Sequence, residues 1–327
     1  MEDENIDTKN EEKEENIDKN EENEENIDKN EENEENIDKN EEKEENIDKN
    51  EENIDTKNEK GDENIDKKKI HFILPGGGVN GAFQAGFLYR LMTDCSKYID
   101  IYRIDGISVG GMNGLALLLE HPEFIKNIWF SIEDRSHIFD SHPTNMALWQ
   151  KGSLYDSNGL REIVIVYKNY IRSEDLHKYN CVVHNSTSQT YEYINGLHEF
   201  IWDYVVASAS PPMISPYSRI GENLYTDGGL DQVYPSDFIT NDPSIINLVV
   251  GYYEESNYYL FYLYKCIKKS INDNVKKVSN LLKDNKIVAI VNPCRNNIID
   301  FRREIIEEAF KCGEEAAIKF YKEHIVI

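Results

Sequence analysis

The sequence predicts an α/β domain, a central and mostly parallel sheet covered by helices on both faces, standing behind a disordered acidic tail. Three observations carry that prediction. The acidic charge is confined to one end of the chain, short apolar runs alternate with helically spaced stretches beyond it, and two glycine-bearing turns each join an apolar run to a helical stretch.

Of the 327 residues, 62 are Asp or Glu and 36 are Lys or Arg, for a formal net charge of −26. Residues 1–66 alone hold 31 acids and 9 lysines. The rest is close to neutral, with 31 acids and 27 bases, which excludes an acidic solvating chain throughout and a basic nucleic-acid footprint on the globular part. The tail repeats a ten-residue unit, Glu-Glu-Lys/Asn-Glu-Glu-Asn-Ile-Asp-Lys-Asn, from Glu11 to Asn50. One isoleucine per unit, as at Ile17, Ile27, Ile37 and Ile47, cannot form a helix stripe or a strand face. Residues 1–68 are therefore expected to be disordered and residues 69–327 to form the domain.

No run of 18 apolar residues occurs, and Met1-Glu2-Asp3-Glu4 lacks the basic and apolar regions of a secretory signal. The five cysteines are odd in number and not in CxxC spacing, so neither a disulfide framework nor a zinc site is indicated. A cytoplasmic setting with peripheral membrane association is expected, with no metal and no cofactor.

The first strand is Ile70–Leu74, an apolar run closed by Pro75 and a glycine cluster. Gly76-Gly77-Gly78-Val79-Asn80-Gly81 follows, and then a helix from Ala82 to Met92 with Phe83, Phe87, Leu88 and Leu91 at helical spacing. Such a loop turns backbone N–H groups toward a helix N-terminus, where a phosphate or an oxyanion is held. Gly76, Gly78 and Gly81 also satisfy G-x-G-x-x-G, with Asp100 about where a ribose-binding acid falls, so a dinucleotide site is one reading of this loop.

The second strand, Ile101–Asp105, runs into Gly106-Ile107-Ser108-Val109-Gly110-Gly111 and a helical stretch, Met112–Glu120. This is G-x-S-x-G between strand and helix, where small neighbours let a serine sit on a strained turn with its hydroxyl presented. A histidine triad does not fit. His324 alone follows Asp227, in a charged tail, and only about 40 residues separate the start of the globular region from Ser108, too few for the strands that precede such an elbow in an α/β-hydrolase.

Further strands are expected at Asn180–Ser186, Trp202–Ala207, Ile245–Gly251 and Ile287–Asn292. Thr226-Asp227-Gly228-Gly229-Leu230 lies among them, a turn with an acid at its head. Tyr252–Lys269, rich in tyrosine with a lysine edge, is expected as a helix covering the sheet, with a headgroup-facing role as the alternative. Phe130–Trp149 reads as a lid or a wall of an acyl site, or as an irregular surface segment. A last helix turns Ile305, Ile306, Ala309 and Phe310 inward.

The ordered set GGGxxG, GxSxG about 30 residues later and DGG late in the domain resembles the patatin-like phospholipases. Gly81–Leu88, Ala207-Ser208-Ala209-Ser210-Pro211-Pro212 and the spacing of Gly228-Gly229 from Pro235 add to it, so that the resemblance covers about residues 70–327. It implies a three-layer α/β/α fold and hydrolysis of a lipid acyl ester by a Ser–Asp dyad, of the phospholipase A or lysophospholipase type. Ser108 is implied as nucleophile and Asp227 as general base. The oxyanion hole is implied in the Gly76, Gly77, Gly78 and Gly81 loop through the amides of Gly77 and Gly78, and Gly106, Gly110, Gly228 and Gly229 are motif residues. Implied partners are a lipid or phospholipid substrate and transient contact with a membrane surface; the need for an activating protein is left open by the sequence. Two positions depart from the family pattern: Asn80 stands where a basic residue is usual, and Ser215 where an aromatic is common, a change expected to alter the lining of the acyl site. An exposed carboxylate is a poor base, so Asp227 is expected to be buried beside Ser108. A catalytically silent lipid-binding scaffold and a dinucleotide-binding oxidoreductase are the alternative functional classes.

Overall fold

The structure is a computed structural model and describes residues 66–119, 121–139, 153–230, 234–252, 268–294, 296–297 and 299–325. The acidic repeats, most of the Tyr252–Lys269 stretch and the second half of Phe130–Trp149 lie outside these residues, as does Glu120.

The first strand, β1 (Lys68–Leu74), leads through a single 3₁₀ turn at Gly78–Asn80 into helix α1 (Gly81–Cys95). Strand β2 (Ile99–Ile107) then leads directly into α2 (Val109–Ala116), shorter at its end than the stretch Met112–Glu120 suggests, and α3 (Glu123–Ser131) and α4 (Asn158–Tyr170) follow. Next come β3 (Tyr179–Asn185), β4 (Thr190–Asn195), α5 (Ile201–Ser208), β5 (Ser218–Ile220) and β6 (Asn223–Asp227). The chain ends with β7 (Ile245–Tyr252), α6 (Lys268–Lys283), β8 (Val288–Val291) and α7 (Arg303–Phe320).

The strands form one sheet in the order β5-β6-β3-β2-β1-β7-β8, with β4 on β3. From β3 to β8 the neighbours are parallel, and β4, β5 and β6 add antiparallel pairings at one side. The side-chain alternation of β1 explains the layers. Ile70, Phe72 and Leu74 join the larger core with α1 and α7, while Ile73 turns to the opposite face, where Val249 and the α6 residue Val278 cover it. Helix α7 buries Ile306, Ala309, Phe310, Ala317 and Phe320 at helical spacing, with Ile305 half-buried beside them, and Phe310 and Phe320 pack on Tyr89 and Phe87 of α1. The result is the three-layer arrangement expected, a mostly parallel sheet between helices.

One expected strand is a helix. Trp202–Ala207 belongs to α5, which is buried at Ile201 and from Tyr204 to Ser208, so its sequence shows no polar side to mark a helical period. Three strands, β4, β5 and β6, went unread because β4 is largely exposed and polar and the other two are short.

Candidate active site

The sheet brings Ser108 and Asp227 together across β3. Ile107, the residue before the serine, pairs with Val182 of β3, and Asp227 pairs with the next residue, Val183, from the other side. A serine at the end of one strand and an aspartate at the end of another, 119 positions apart in sequence, thus converge over a single strand between them.

Ser108 sits on the strained turn that its motif calls for, with φ 54° and ψ −129°. The turn is so tight that side chains are excluded on both sides. A Cβ on Gly110 would lie 2.1 Å from the carbonyl oxygen of Leu74, and one on Gly106 would lie 2.6 Å from that of Gly110. Two bonds hold the strained residue in place. The Ser108 amide donates to Ser208 Oγ at 3.0 Å, and that hydroxyl, fully buried, donates to the carbonyl of Val182 at 2.7 Å. The Ser108 carbonyl accepts two amides of the first turn of α2, from Gly111 at 2.9 Å and Met112 at 3.3 Å, so the serine stands at the positive end of that helix.

Asp227 closes β6 and is 7% exposed. Its carboxyl is pushed up to about 7 by burial, while hydrogen bonds from the Gly229 amide and the Ser108 hydroxyl pull it back down. Its backbone is fixed as well: the Asp227 amide donates to the Ser210 carbonyl at 3.1 Å, and the Thr226 hydroxyl donates to the same oxygen at 2.6 Å. Gly228 and Gly229 form the turn that follows.

The glycine loop packs against the serine. A Cβ on Gly76 would lie 3.1 Å from that of Ser108, and Gly81 begins α1 against Val109. The amides of Gly77 and Gly78 meet no acceptor among the described residues. Buried amide side chains fix both ends of the loop. Gln84 donates to the Pro75 carbonyl at 2.7 Å, Asn113 donates to the Gly81 carbonyl at 2.9 Å and to Gln84 Oε1 at 3.1 Å, and Trp129 donates to Asn113 Oδ1 at 2.9 Å. The sequence reading did not single out Gln84, Asn113, Trp129 or Ser208 for these roles. Their signal is a polar residue inside an otherwise apolar run, as in Ala82-Phe83-Gln84-Ala85.

A cavity of about 140 Å³ opens over the pair. Gly76, Gly77, Gly78, Ser108 and Asp227 form its polar floor, and apolar side chains from α3 and the residue after it, from α4, and from the segments after α5 and before α7 form its walls, among them Trp129, Ile132, Leu160, Ile214 and Phe301. Ile138 and Phe139, from the Phe130–Trp149 segment, contribute to one wall. Ser215 is buried and is not among the residues that line the cavity; Pro211, Pro212 and Ile214 supply the wall there.

Two other readings fail on position. Asp100 pairs with Lys69 at the amino ends of β1 and β2, whereas the glycine loop follows the carboxyl end of β1, so the acid cannot share a dinucleotide with that loop. His324 lies beyond α7 with its ring on Phe320 and is absent from the cavity wall. Among the described residues no cluster of potential metal ligands occurs.

A family model described as patatin-like phospholipase matches residues 72–237, a span that contains the glycine loop, Ser108 and Asp227. The chain belongs to the patatin-like phospholipase family. It is thereby placed in a family of lipid hydrolases, and its parallel sheet with flanking helices is consistent with the patatin fold. Among solved structures it is similar to the crystal structure of VipD from Legionella pneumophila, at 12% identity and a TM-score of 0.43 over 79% of this chain and 67% of that one, a likeness too distant to carry argument. No curated protein matches the chain significantly.

Proposed function

We propose that this patatin-like protein hydrolyses acyl esters of lipids with Ser108 as nucleophile and Asp227 as its general base, in reactions of the phospholipase A or lysophospholipase type. The observation that carries the reading is the buried Asp227 carboxyl, raised to about 7, beside the strained Ser108 on the floor of an apolar cavity. A base with that affinity for protons is matched to neutral pH, where it is ionised in part yet still basic enough to take a hydroxyl proton.

In the first step Ser108 Oγ attacks the acyl carbonyl carbon while Asp227 takes its proton. The negative charge that builds on the carbonyl oxygen is met by the amides of Gly77 and Gly78 and by the positive end of α2. Collapse of the tetrahedral species returns the proton from Asp227 to the departing alcohol oxygen and leaves the acyl group on Ser108. Water, deprotonated by the same carboxylate, then attacks the acyl carbonyl, and the proton passes from Asp227 to Ser108 Oγ as the fatty acid leaves. The apolar walls accept the acyl chain, and a substrate of that kind is reached by transient contact with a membrane surface. The low cysteine count, five in the chain, supports a reducing and cytoplasmic setting.

The test is fatty acid release from phosphatidylcholine and lysophosphatidylcholine vesicles by the full chain, compared with Ser108→Ala. Release abolished by the substitution supports the hydrolase, equal release by both proteins counts against Ser108 as nucleophile, and no release from any acyl ester by the wild type favours the silent lipid-binding scaffold.

A further inference from the structure

The loop that carries the Gly77 and Gly78 amides ends on Asn80, where the family pattern has a basic residue. Asn80 is 6% exposed, and both the nitrogen and the oxygen of its side-chain amide are hydrogen-bonded. Nδ2 donates to the Asn296 carbonyl at 3.2 Å, and Oδ1 accepts from the Asn296 amide at 3.2 Å. This is the reciprocal exchange that paired strands make, with a side-chain amide standing in for one backbone. The Asn80 carbonyl in turn accepts from Asn292 Nδ2 at 3.4 Å, and the Asn292 amide donates to Tyr252 at the end of β7, at 3.0 Å. The loop is thus fastened to the segment that follows β8.

An arginine or lysine has donors and no side-chain acceptor, so neither could complete the pair with Asn296. The need for a fastening is plain from the sequence. Three consecutive glycines, Gly76 to Gly78, have the largest conformational freedom to lose, and amides stabilise an oxyanion only if they are aimed before it forms. Gln84 and Asn113 hold the loop at Pro75 and Gly81 from the α1 and α2 side. Asn80 holds it to the segment that follows β8.

We infer that Asn80 is a positioning residue, whose pairing with the Asn296 backbone keeps the Gly77 and Gly78 amides aimed at the carbonyl that Ser108 attacks. It acts through geometry and supplies no charge. The inference rests on the hydrolase reading for its catalytic consequence, though the fastening itself does not.

The test compares wild type, Asn80→Ala and Asn80→Arg, first in hydrolysis of p-nitrophenyl butyrate and then by amide hydrogen exchange over residues 75–81. Both variants should lose kcat roughly ten- to hundredfold. KM should stay within about twofold of wild type, because no contact with substrate is removed. Exchange at Gly77–Val79 should quicken in both. Wild-type or higher kcat in Asn80→Arg would overturn the inference, since the position would then work through charge. Unchanged exchange in both variants, or an effect confined to KM, would overturn it equally. A wild type that cleaves no ester counts against the Ser–Asp reading, and the exchange measurement then decides the fastening by itself. Should Asn80→Ala fail to fold, Asn80→Arg carries both arms.

Discussion

The Asp227 carboxylate accepts a hydrogen bond from the amide of Gly229 at 2.8 Å, two residues along its own chain. That bond favours the ionised form, burial opposes it more strongly, and the carboxyl comes to rest near 7. The pH dependence follows. If the ionised carboxylate is the base, kcat/KM should fall about tenfold per pH unit below about pH 7 and level off above it. A profile measured on a soluble ester that stays flat down to pH 5 would contradict this.

The same shift acts on stability, with the opposite preference. Since the folded state holds the Asp227 proton up to about 7 and an unfolded Asp releases it near 3.9, stability from this group is complete below about pH 4 and is lost as pH rises to 7. Asn mimics the neutral acid, so Asp227→Asn should be more stable than wild type at pH 8, by an amount on the order of 4 kcal/mol, and no more stable at pH 4. Urea unfolding at the two pH values checks it. Activity should fall in the same variant by about a thousandfold, as expected when a base is removed.

Gly110→Ala tests the tightness of the turn that carries Ser108. Its Cβ would meet the Leu74 and Pro75 carbonyl oxygens at 2.1 and 2.6 Å, backbone atoms that have no room to withdraw. A loss of about 3 kcal/mol is expected from the urea midpoint, together with loss of activity.

Ser208 bridges the Ser108 amide to β3, and Ser208→Ala removes both bonds. The Ser108 amide and the Val182 carbonyl are left without these partners, so stability should drop by about 1–3 kcal/mol. The strained turn is then freer to relax, and kcat should fall with KM little changed. An unaltered kcat would show that the turn holds itself.

Much of this candidate site was legible because its residues sit on turns that demand particular side chains. Ser108 stood out because only glycine fits at Gly106 and Gly110, and β1, β2, β3, β7 and β8 stood out as apolar runs. Asp227 was found through the family pattern alone, since β6 has five residues and its partner β5 three, too few to show alternation. The helix α5 reads as a strand because Asp203 is its one exposed polar residue, too little to mark a helical period. The fastenings at Gln84, Asn113, Ser208 and Asn80 join residues 9 to 216 positions apart, and no local pattern reveals such distances.

The most direct measurement is labelling of the purified full chain with a fluorophosphonate, mapped by peptide mass and repeated on Ser108→Ala and Asp227→Ala. Ser108 should carry the adduct, labelling should vanish in Ser108→Ala, and it should be strongly slowed in Asp227→Ala. A wild type that labels at another residue, or at Ser108 with equal speed when Asp227 is gone, would contradict the pairing of these two residues.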